Sequence, residues 1–348
     1  MRGTTASPGR GMEGDAKVGG SSYRGPHRMA AALTCPRQWA LRYHYYVRPY
    51  AEKDHQLAGT LAHDAMAYWY ADKLPDDKKP AWFFAQDMHA TLAEKAKHRL
   101  TLIDNAIRSL ECYTHWEEDI IEPLHVEHEF AATLGSVDPE GPRPDLNDEI
   151  VTCRTDLVAR ISNAAGTGVY IIDHKSKGRW DSDKYGRLKT WNPDGEFSLD
   201  FQVLTNLHLV RKALEPMHVN GFMIQRLRRE LPWDFDRNVL NVGRLPYAQT
   251  PRLMRLAVMA EKDAETAIEK YDDANPACAG SDKSQRIDAA FQPEFARYHA
   301  CYGRWGACDY RDLCMADDTD EREALVQLNY KKPEAPTPPQ TPQGGISL

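Results

Sequence analysis

The stretch GVYIIDHKSK, residues 168–177, decides how the centre of this chain folds. It is short and rich in Val and Ile, and glycine bounds it, which predicts a β-strand. Successive side chains of a strand point to opposite faces, so Asp173 and Lys175 share one face and His174 lies on the other. A carboxylate beside an ammonium group at a strand end is chemically useful. The acid can hold a hard divalent cation, and the lysine can position a water or steady a phosphate.

The segment before it, EIVTCRTDLVAR at residues 149–160, reads as a second strand. Its alternation places Arg154 and Asp156 on one face. Asp156 lies in an otherwise apolar run, where a carboxylate is costly unless it is paired or bound to a metal. Because Asp156 and Asp173 would lie on adjacent strands, the two carboxylates are predicted to converge on one cation such as Mg²⁺.

The order of elements predicts the fold class. Strand patterns occur at residues 124–134, 149–162, 168–175 and 218–227, and a helical pattern at 200–215 lies between the last two. Helical patterns also cover 59–71 and 82–122, and Thr250-Pro251 is predicted to start a helix that runs to about Tyr271. The order β-β-β-α-β indicates an α/β fold with a mixed central sheet flanked by helices.

Composition and the chain ends limit the possible classes of protein. Residues 1–22 are rich in Gly and Ser and residues 331–348 are rich in Pro, so both are predicted to be disordered around one domain at 23–330. The leader has no apolar stretch typical of a secretory signal, and the chain has no long apolar run. Mean hydropathy is −0.63, which excludes a membrane span. These features predict a cytoplasmic location, where disulfides are rare.

Basic and aromatic residues suggest nucleic-acid contacts, although the net charge is only −7. Residues 175–189 carry six Lys or Arg, with Trp180, Tyr185 and Trp191 interleaved or adjacent, a combination typical of single-strand binding. A second basic patch is predicted at Arg226, Arg228 and Arg229. By contrast, Trp39, Tyr43 and Tyr46 recur at helical spacing and are interpreted as core residues, and Glu127 and Glu129 are interpreted as structural residues of a strand.

Taken in order, these motifs resemble the PD-(D/E)xK nuclease superfamily, and most closely its RecB-like exonuclease branch. That branch includes CRISPR-associated adaptation nucleases and phage exonucleases. Asp156 followed by Asp173-His174-Lys175 is similar to the catalytic core. Gly59-Thr60-Leu61-Ala62-His63 resembles the G-x-x-x-H motif of the branch, and Gln202 resembles the glutamine of its Q-x-x-x-Y motif. The chain departs from that pattern at Asn206, where the family has a tyrosine that helps to contact DNA.

The resemblance implies a restriction-endonuclease-like core and a metal-dependent deoxyribonuclease, most closely an exonuclease in DNA recombination, repair or phage DNA processing. The implied location is the cytoplasm of a bacterium or of a phage-infected host cell. His63, Asp156, Asp173 and the backbone carbonyl of His174 would hold Mg²⁺ or Mn²⁺. Lys175 would orient or deprotonate a water, and Gln202 would brace the site. The implied partner is single-stranded DNA or DNA ends. The alternative is a non-catalytic DNA-binding recombination factor on the same scaffold.

Four cysteines complete the resemblance. Cys301, Cys308 and Cys314 lie close together near the C-terminus, and Cys35 lies in CPRQWALRYHYY at residues 35–46. In iron–sulfur members of the branch, one N-terminal and three C-terminal cysteines hold a 4Fe–4S cluster. The gap between Cys301 and Cys308 is longer than in those members. Four thiolates also suit structural Zn²⁺, so a zinc-stapled interaction module stays a further alternative.

Overall fold

The structure, a computed structural model, describes residues 23–49, 54–97, 99–117, 119–163, 166–177, 193–228, 233–274, 288–292, 302–303, 306–316 and 319–331. The predicted leader 1–22 lies outside these ranges. So does the predicted tail 331–348, apart from Lys331, which pairs with Arg48 in a short strand. Within the described ranges, no helix has both the length and the hydropathy that a membrane span requires.

The described residues form helices and strands with the following bounds. The helices are α1 Pro26–Thr34, α2 Pro36–Trp39, α3 Asp54–Asp72, α4 Ala81–Ala85, α5 Met88–Ala96, α6 Leu100–Trp116, α7 Leu134–Val137, α8 Pro193–Phe197, α9 Phe201–Ala213, α10 Arg244–Ala274, α11 Arg311–Met315 and α12 Thr319–Asn329. The strands are β1 Arg48–Pro49, β2 Ile120–Thr133, β3 Ile150–Asn163, β4 Gly166–Lys177, β5 Val219–Arg228, β6 Phe235–Val239, β7 Tyr302–Gly303, β8 Gly306–Ala307 and β9 Tyr330–Lys331.

The central sheet has five strands in the order β2-β3-β4-β5-β6. β4 and β5 are parallel and the other neighbours are antiparallel, so the sheet is mixed. The parallel pair is joined through α9, as a crossover connection requires. The predicted α/β class and the order β-β-β-α-β are therefore confirmed. The sequence prediction missed β6, because Phe235–Val239 is mostly polar and shows no apolar alternation.

Each face of the sheet is covered by helices. Apolar side chains of α3, α5 and α6 pack on one face against residues such as Leu157 and Ile172. Side chains of α9 and α10 pack on the other face against residues such as Ile171 and Phe222. The alternation of Ile171 and Ile172 between the two clusters follows from the two-residue period of a strand.

Two helix predictions need correction. The helical pattern at 82–122 is three separate helices, and the chain has already entered β2 at Ile120. The break before α5 is made by Asp87, whose side chain accepts a hydrogen bond from the backbone N–H of Ala90 at 2.9 Å. The predicted start at Thr250-Pro251 is also wrong, because α10 begins at Arg244 and contains Pro251. The Thr250 hydroxyl donates to the carbonyl of Pro246 at 2.9 Å instead of capping the helix.

A third apolar cluster joins the two ends of the described chain. It contains Trp39 and Leu41 from the N-terminal segment and Tyr310 and Leu313 from the C-terminal segment. The Tyr310 hydroxyl donates to the carbonyl of Val47 at 2.7 Å, and β1 pairs with β9. Residues almost 300 positions apart are thus in contact through apolar packing and hydrogen bonds.

Candidate active site

One cavity of about 730 Å³ lies between the sheet and the helices α1, α3 and α9. Its volume is in the range of small-molecule and cofactor sites. Basic, acidic and amide side chains and one tyrosine, from seven elements, line its wall: His27, Arg28, Tyr43, His63, Asp64, Glu127, Arg154, Asp156, Asp173, Lys175, Gln202 and Asn206, among others.

β4 supplies an acid and a lysine to this cavity. Asp173 and Lys175 both line it, and Lys175 Nζ lies 2.7 Å from Asp173 Oδ2. Asp173 is only 6% exposed, and its burial raises the pKa of the carboxyl although Lys175 opposes that shift. His174 points the other way, and its ring stacks on Tyr70 with centroids 5.9 Å apart. Burial lowers the pKa of His174 to about 3, so its imidazole is neutral at neutral pH.

Asp156 on β3 and His63 on α3 form the adjacent part of the site. His63 Nδ1 lies 3.3 Å from Asp156 Oδ2, and the backbone N–H of His174 donates to the same oxygen at 2.7 Å. Burial opposes a charge on His63, but the Asp156 carboxylate outweighs that cost and raises the pKa of the imidazole to about 9. Both contacts use Oδ2, and no described residue donates a hydrogen bond to Asp156 Oδ1.

Glu127, interpreted from the sequence as a structural residue of a strand, also lines this cavity. It lies on β2 between Val126, which pairs with Leu157, and His128, which pairs with Thr155, and therefore opposite Asp156. Burial and repulsion from Asp156 raise the pKa of Glu127 to about 8.

The backbone of Glu127 is unusual for a strand. Its φ is +47°, a left-handed conformation that costs a residue with a side chain on the order of 1–3 kcal/mol and is concentrated at functional sites. A periodic pattern of apolar residues does not reveal Glu127, because its side chain reaches the cavity through this unusual backbone conformation. Its neighbour Glu129 behaves as predicted, because its carboxylate accepts from the backbone N–H of Tyr23 and lies 3.8 Å from Arg154.

Gly59 explains how α3 brings His63 to the sheet. A Cβ atom at position 59 would lie 3.0 Å from Ser176 Oγ, beside Lys175 on β4. Glycine therefore permits the close approach of helix and strand, and His63 follows one turn later on the same face.

The variant Gly59→Val is expected to lower the free energy of unfolding by about 1–3 kcal/mol, because the added methyl groups force α3 away from β4. Thermal unfolding of the purified variant measures this change. The control is Gly195→Ala, whose added Cβ would meet no atom within 4 Å and which should unfold at the wild-type temperature or above. Equal melting temperatures for Gly59→Val and wild type would contradict the close-packing account.

α9 presents two amide side chains to the cavity. The helix starts at Asp200, whose carboxylate accepts from the backbone N–H groups of Gln202 and Val203. Gln202 and Asn206 are four residues apart, so they lie on one face of the helix, and both line the cavity. Asn206 is 2% exposed, and its Oδ1 has no hydrogen-bond partner among the described residues.

The donor groups of the cavity suit a hard divalent cation. Such a cation binds carboxylate oxygens and also accepts imidazole nitrogen, and His63, Asp156, Asp173 and Glu127 supply both. After burial, repulsion from Asp156 is the next cause of the raised pKa of Glu127, and a cation bound to both carboxylates would offset that repulsion. In the described part of the chain, no three such side chains are already arranged as ligands of one ion. Instead, His63 pairs with Asp156, and Lys175 pairs with Asp173.

The structure places three of the four predicted cluster cysteines. Cys35 is buried directly before α2, Cys308 packs against the third apolar cluster, and Cys314 lies on α11. Their segments therefore meet in one part of the fold. Cys301 lies outside the described residues. Among the residues that are described, these thiols do not form a metal-binding group.

The basic segments have different outcomes. Residues 178–192, which contain most of the predicted single-strand binding stretch, lie outside the described residues. The predicted second patch is wrong for Arg226 and Arg228, which are both 3% exposed, and Arg229 lies outside the described residues. Arg226 Nε donates to Asp236 at 2.8 Å inside the sheet, so its charge is neutralised there.

The three aromatic residues predicted to be core residues also differ from one another. Trp39 is fully buried, as predicted. Tyr43 is partly buried and packs against the third apolar cluster, as predicted, and it also lines the cavity. Tyr46 is partly buried in a left-handed backbone conformation with φ +54°.

A family model described as the PD-(D/E)XK nuclease superfamily matches residues 25–315. The matched range contains every residue named above for the cavity, and also Cys35 and Cys314. No curated protein sequence matches the chain.

Proposed function

Because the chain belongs to the PD-(D/E)XK nuclease superfamily, whose members are metal-dependent nucleases, we propose that it is a DNA exonuclease of the RecB-like branch. The observation that carries this proposal is one cavity lined by His63, Asp156, Asp173 and Lys175. The ordered motifs of the sequence favour the branch. A role in DNA recombination, repair or phage DNA processing is part of the proposal.

The residues that would hold Mg²⁺ or Mn²⁺ are His63, Asp156, Asp173 and the backbone carbonyl of His174. Glu127 would add a further carboxylate. A bound divalent cation lowers the pKa of a water and neutralises charge on the phosphoryl oxygens. Asp156 supports this assignment because its Oδ1 is not used by any described contact, and the 2.7 Å hydrogen bond from His174 fixes the carboxylate orientation.

Lys175 and Gln202 would act on the reactants. Hydrolysis adds water across a P–O ester bond, so the hydroxyl goes to phosphorus and the proton goes to the leaving sugar oxygen. Lys175 would orient or deprotonate that water from its position beside Asp173. Gln202 would brace the site from the first turn of α9, which the Asp200 cap holds in place.

Cleavage of end-labelled DNA tests the proposal. The protein is incubated with single-stranded and double-stranded DNA in Mg²⁺, in Mn²⁺ and in chelator. We expect nucleotides to be released progressively from an end in the presence of either cation and no cleavage in chelator. Internal cuts without end release would contradict the exonuclease assignment, and cleavage that persists in chelator would contradict the metal site.

A second candidate function is a non-catalytic DNA-binding recombination factor. The observation that favours it is Asn206, which replaces the tyrosine of the Q-x-x-x-Y motif. This candidate predicts DNA binding without cleavage in either cation. The same assay therefore separates the two functions.

We further propose that Cys35, Cys301, Cys308 and Cys314 hold a 4Fe–4S cluster, with Zn²⁺ as the alternative. What supports this is the meeting of the N-terminal and C-terminal segments in one apolar cluster. Four thiolates at this place would close nearly the whole chain into one loop, which constrains the unfolded state.

Cys314→Ser is expected to lose the bound metal and to lower the melting temperature by at least about 5 °C, because metal binding contributes to folding. Iron and zinc are measured after purification without air, together with the colour of the protein. A brown protein with iron indicates the cluster, and a colourless protein with zinc indicates the alternative. Cys112→Ser on α6 is the control and should change neither property. A Cys314→Ser protein that retains its metal would refute the ligand assignment.

A further inference from the structure

Part of the cavity wall is not used by the metal and lysine chemistry. This part consists of the start of α1, of Tyr43 and of Asn206 on α9. A phosphodiester substrate brings more than a phosphate, because each phosphate carries a sugar and a base. The question is therefore which part of a nucleotide these residues suit.

Tyr43 has the position and surroundings of a stacking residue. It lies on a π-helical turn, Ala40–His44, in which the backbone N–H of Tyr45 bonds to the carbonyl of Ala40 at 2.9 Å. Such turns are rare and occur often at functional sites. Tyr43 is partly buried, because it packs against the third apolar cluster and also lines the cavity, whereas Trp39 on the preceding turn is fully buried.

Two arginines lie near the ring of Tyr43. The guanidinium carbons of Arg28 and Arg42 are 5.9 and 5.7 Å from its centroid. Arg28 is paired with the buried Glu261, whose Oε2 accepts from Arg28 Nε at 3.1 Å, and Glu265 lies 3.7 Å from it, so these acids balance its charge and Arg42 is the second cation beside the ring. An aromatic ring among cations is the arrangement that proteins use to bind single-stranded nucleic acid, since the ring stacks on a base and the cations attract the backbone.

Asn206 indicates what else the ligand must offer. Its Oδ1 is a buried acceptor without a partner in the described chain, and the residue is 2% exposed. Leaving such an acceptor unpaired costs free energy, so a bound group is expected to donate to it. An ionised phosphate has no hydrogen to donate. The bases of DNA do have N–H groups, but in a duplex the pairing partner uses those on the Watson–Crick edge.

We propose that this part of the cavity wall is a subsite for one unpaired nucleotide, with its base stacked on Tyr43 and a base N–H donating to Asn206 Oδ1. The subsite rests on the proposed nuclease function, because the cation that His63, Asp156 and Asp173 would hold, together with Lys175, would bind the neighbouring phosphate. It makes an unpaired strand the preferred ligand and gives Asn206 a role in place of the family tyrosine.

Fluorescence anisotropy in chelator tests the subsite without any cleavage. The probes are a labelled single-stranded DNA oligonucleotide and a series in which one nucleotide at a time is abasic. At one position, loss of the base should weaken binding to the wild-type protein about tenfold. Tyr43→Leu should weaken binding of the intact oligonucleotide about equally, and should cause no further loss with the oligonucleotide abasic at that position. Asn206→Leu should weaken binding of the intact oligonucleotide about threefold and should likewise cause no further loss with the oligonucleotide abasic at that position.

The control variant is Phe84→Leu, since Phe84 is an exposed aromatic residue on α4 outside the cavity. It should bind every probe as the wild type does. If no abasic position weakens binding to the wild-type protein, the subsite is wrong whether or not the variants fold. If Tyr43→Leu weakens the intact and abasic probes equally, stacking is wrong. An unchanged affinity of Asn206→Leu would mean that only water occupies its acceptor, and the base contact is then wrong.

The two proposals fail separately. If loss of the base and Tyr43→Leu show the expected non-additive effects on binding but Mg²⁺ gives no cleavage, the subsite stands and the nuclease function fails. If Mg²⁺ gives cleavage but the two effects are additive, the nuclease stands and the subsite fails.

Discussion

Asp173→Asn is expected to lower the rate of DNA cleavage in Mg²⁺ by at least about 10³-fold, because a divalent cation contributes several kcal/mol to stabilising the transition state. The substitution keeps the shape of the side chain but removes its negative charge, so the fold should persist. DNA binding should remain measurable. Single-turnover cleavage of end-labelled DNA gives the rate, and isothermal titration with Mn²⁺ should show weaker binding of the cation.

The matched control is Asp104→Asn. Asp104 lies on the exposed surface of α6, where its carboxylate pairs with Arg108 one turn away. It does not line the cavity. The variant should cleave DNA at the wild-type rate. If Asp173→Asn also cleaved near that rate, the assigned site would be wrong.

Lys175→Met should reduce cleavage by about 10²–10⁴-fold, the contribution of a positioned group that moves or orients a proton. Methionine keeps most of the length of the side chain but carries no ammonium group. The variant should still bind Mn²⁺, because Asp156, Asp173 and His63 are unchanged. This separates the role of Lys175 from that of Asp173.

Two measurements check the role of Lys175. The first is the cleavage rate at saturating Mg²⁺, which should stay low however much cation is added. The second is Mn²⁺ affinity by titration calorimetry. A rate restored by excess cation would show that Lys175 acts only on cation binding. The control is Lys212→Met, whose ammonium group lies 3.8 Å from Glu215 at the end of α9 and which does not line the cavity.

Local pattern was sufficient for the two strands that carry Asp156, Asp173 and Lys175 of the candidate site. The two-residue period of GVYIIDHKSK places Asp173 and Lys175 on one face, and in the structure both line the cavity while His174 stacks on Tyr70. The carboxylate of Asp156 in an apolar run was informative for a similar reason, because a buried charge needs a partner. His63 and Gln202 came from family resemblance, since nothing in their local sequence distinguishes them from ordinary helix residues.

Glu127 and Tyr43 show why the rest of the cavity could not be predicted. Each reaches it through an unusual backbone, a left-handed strand residue in one case and a π-helical turn in the other. Such conformations are imposed by long-range packing and leave no period in the sequence. The opposite error occurred at Arg226, where adjacent positive charges suggested a surface patch. The sheet instead buries that arginine against Asp236, a partner ten residues away on β6.

The sequence by itself determined the α/β class, the order of the first strands and the crossover helix, and the acid and lysine of β4, because these depend on side-chain period and on local chemistry. Only the tertiary structure decided which distant residues join them. It brings His63 against β4 through the close approach at Gly59, places Glu127 opposite Asp156, and turns Tyr43 and Asn206 toward the same cavity. The physical reason is that a contact between distant segments depends on packing and on backbone conformation. The side-chain period of a single segment does not determine these two properties.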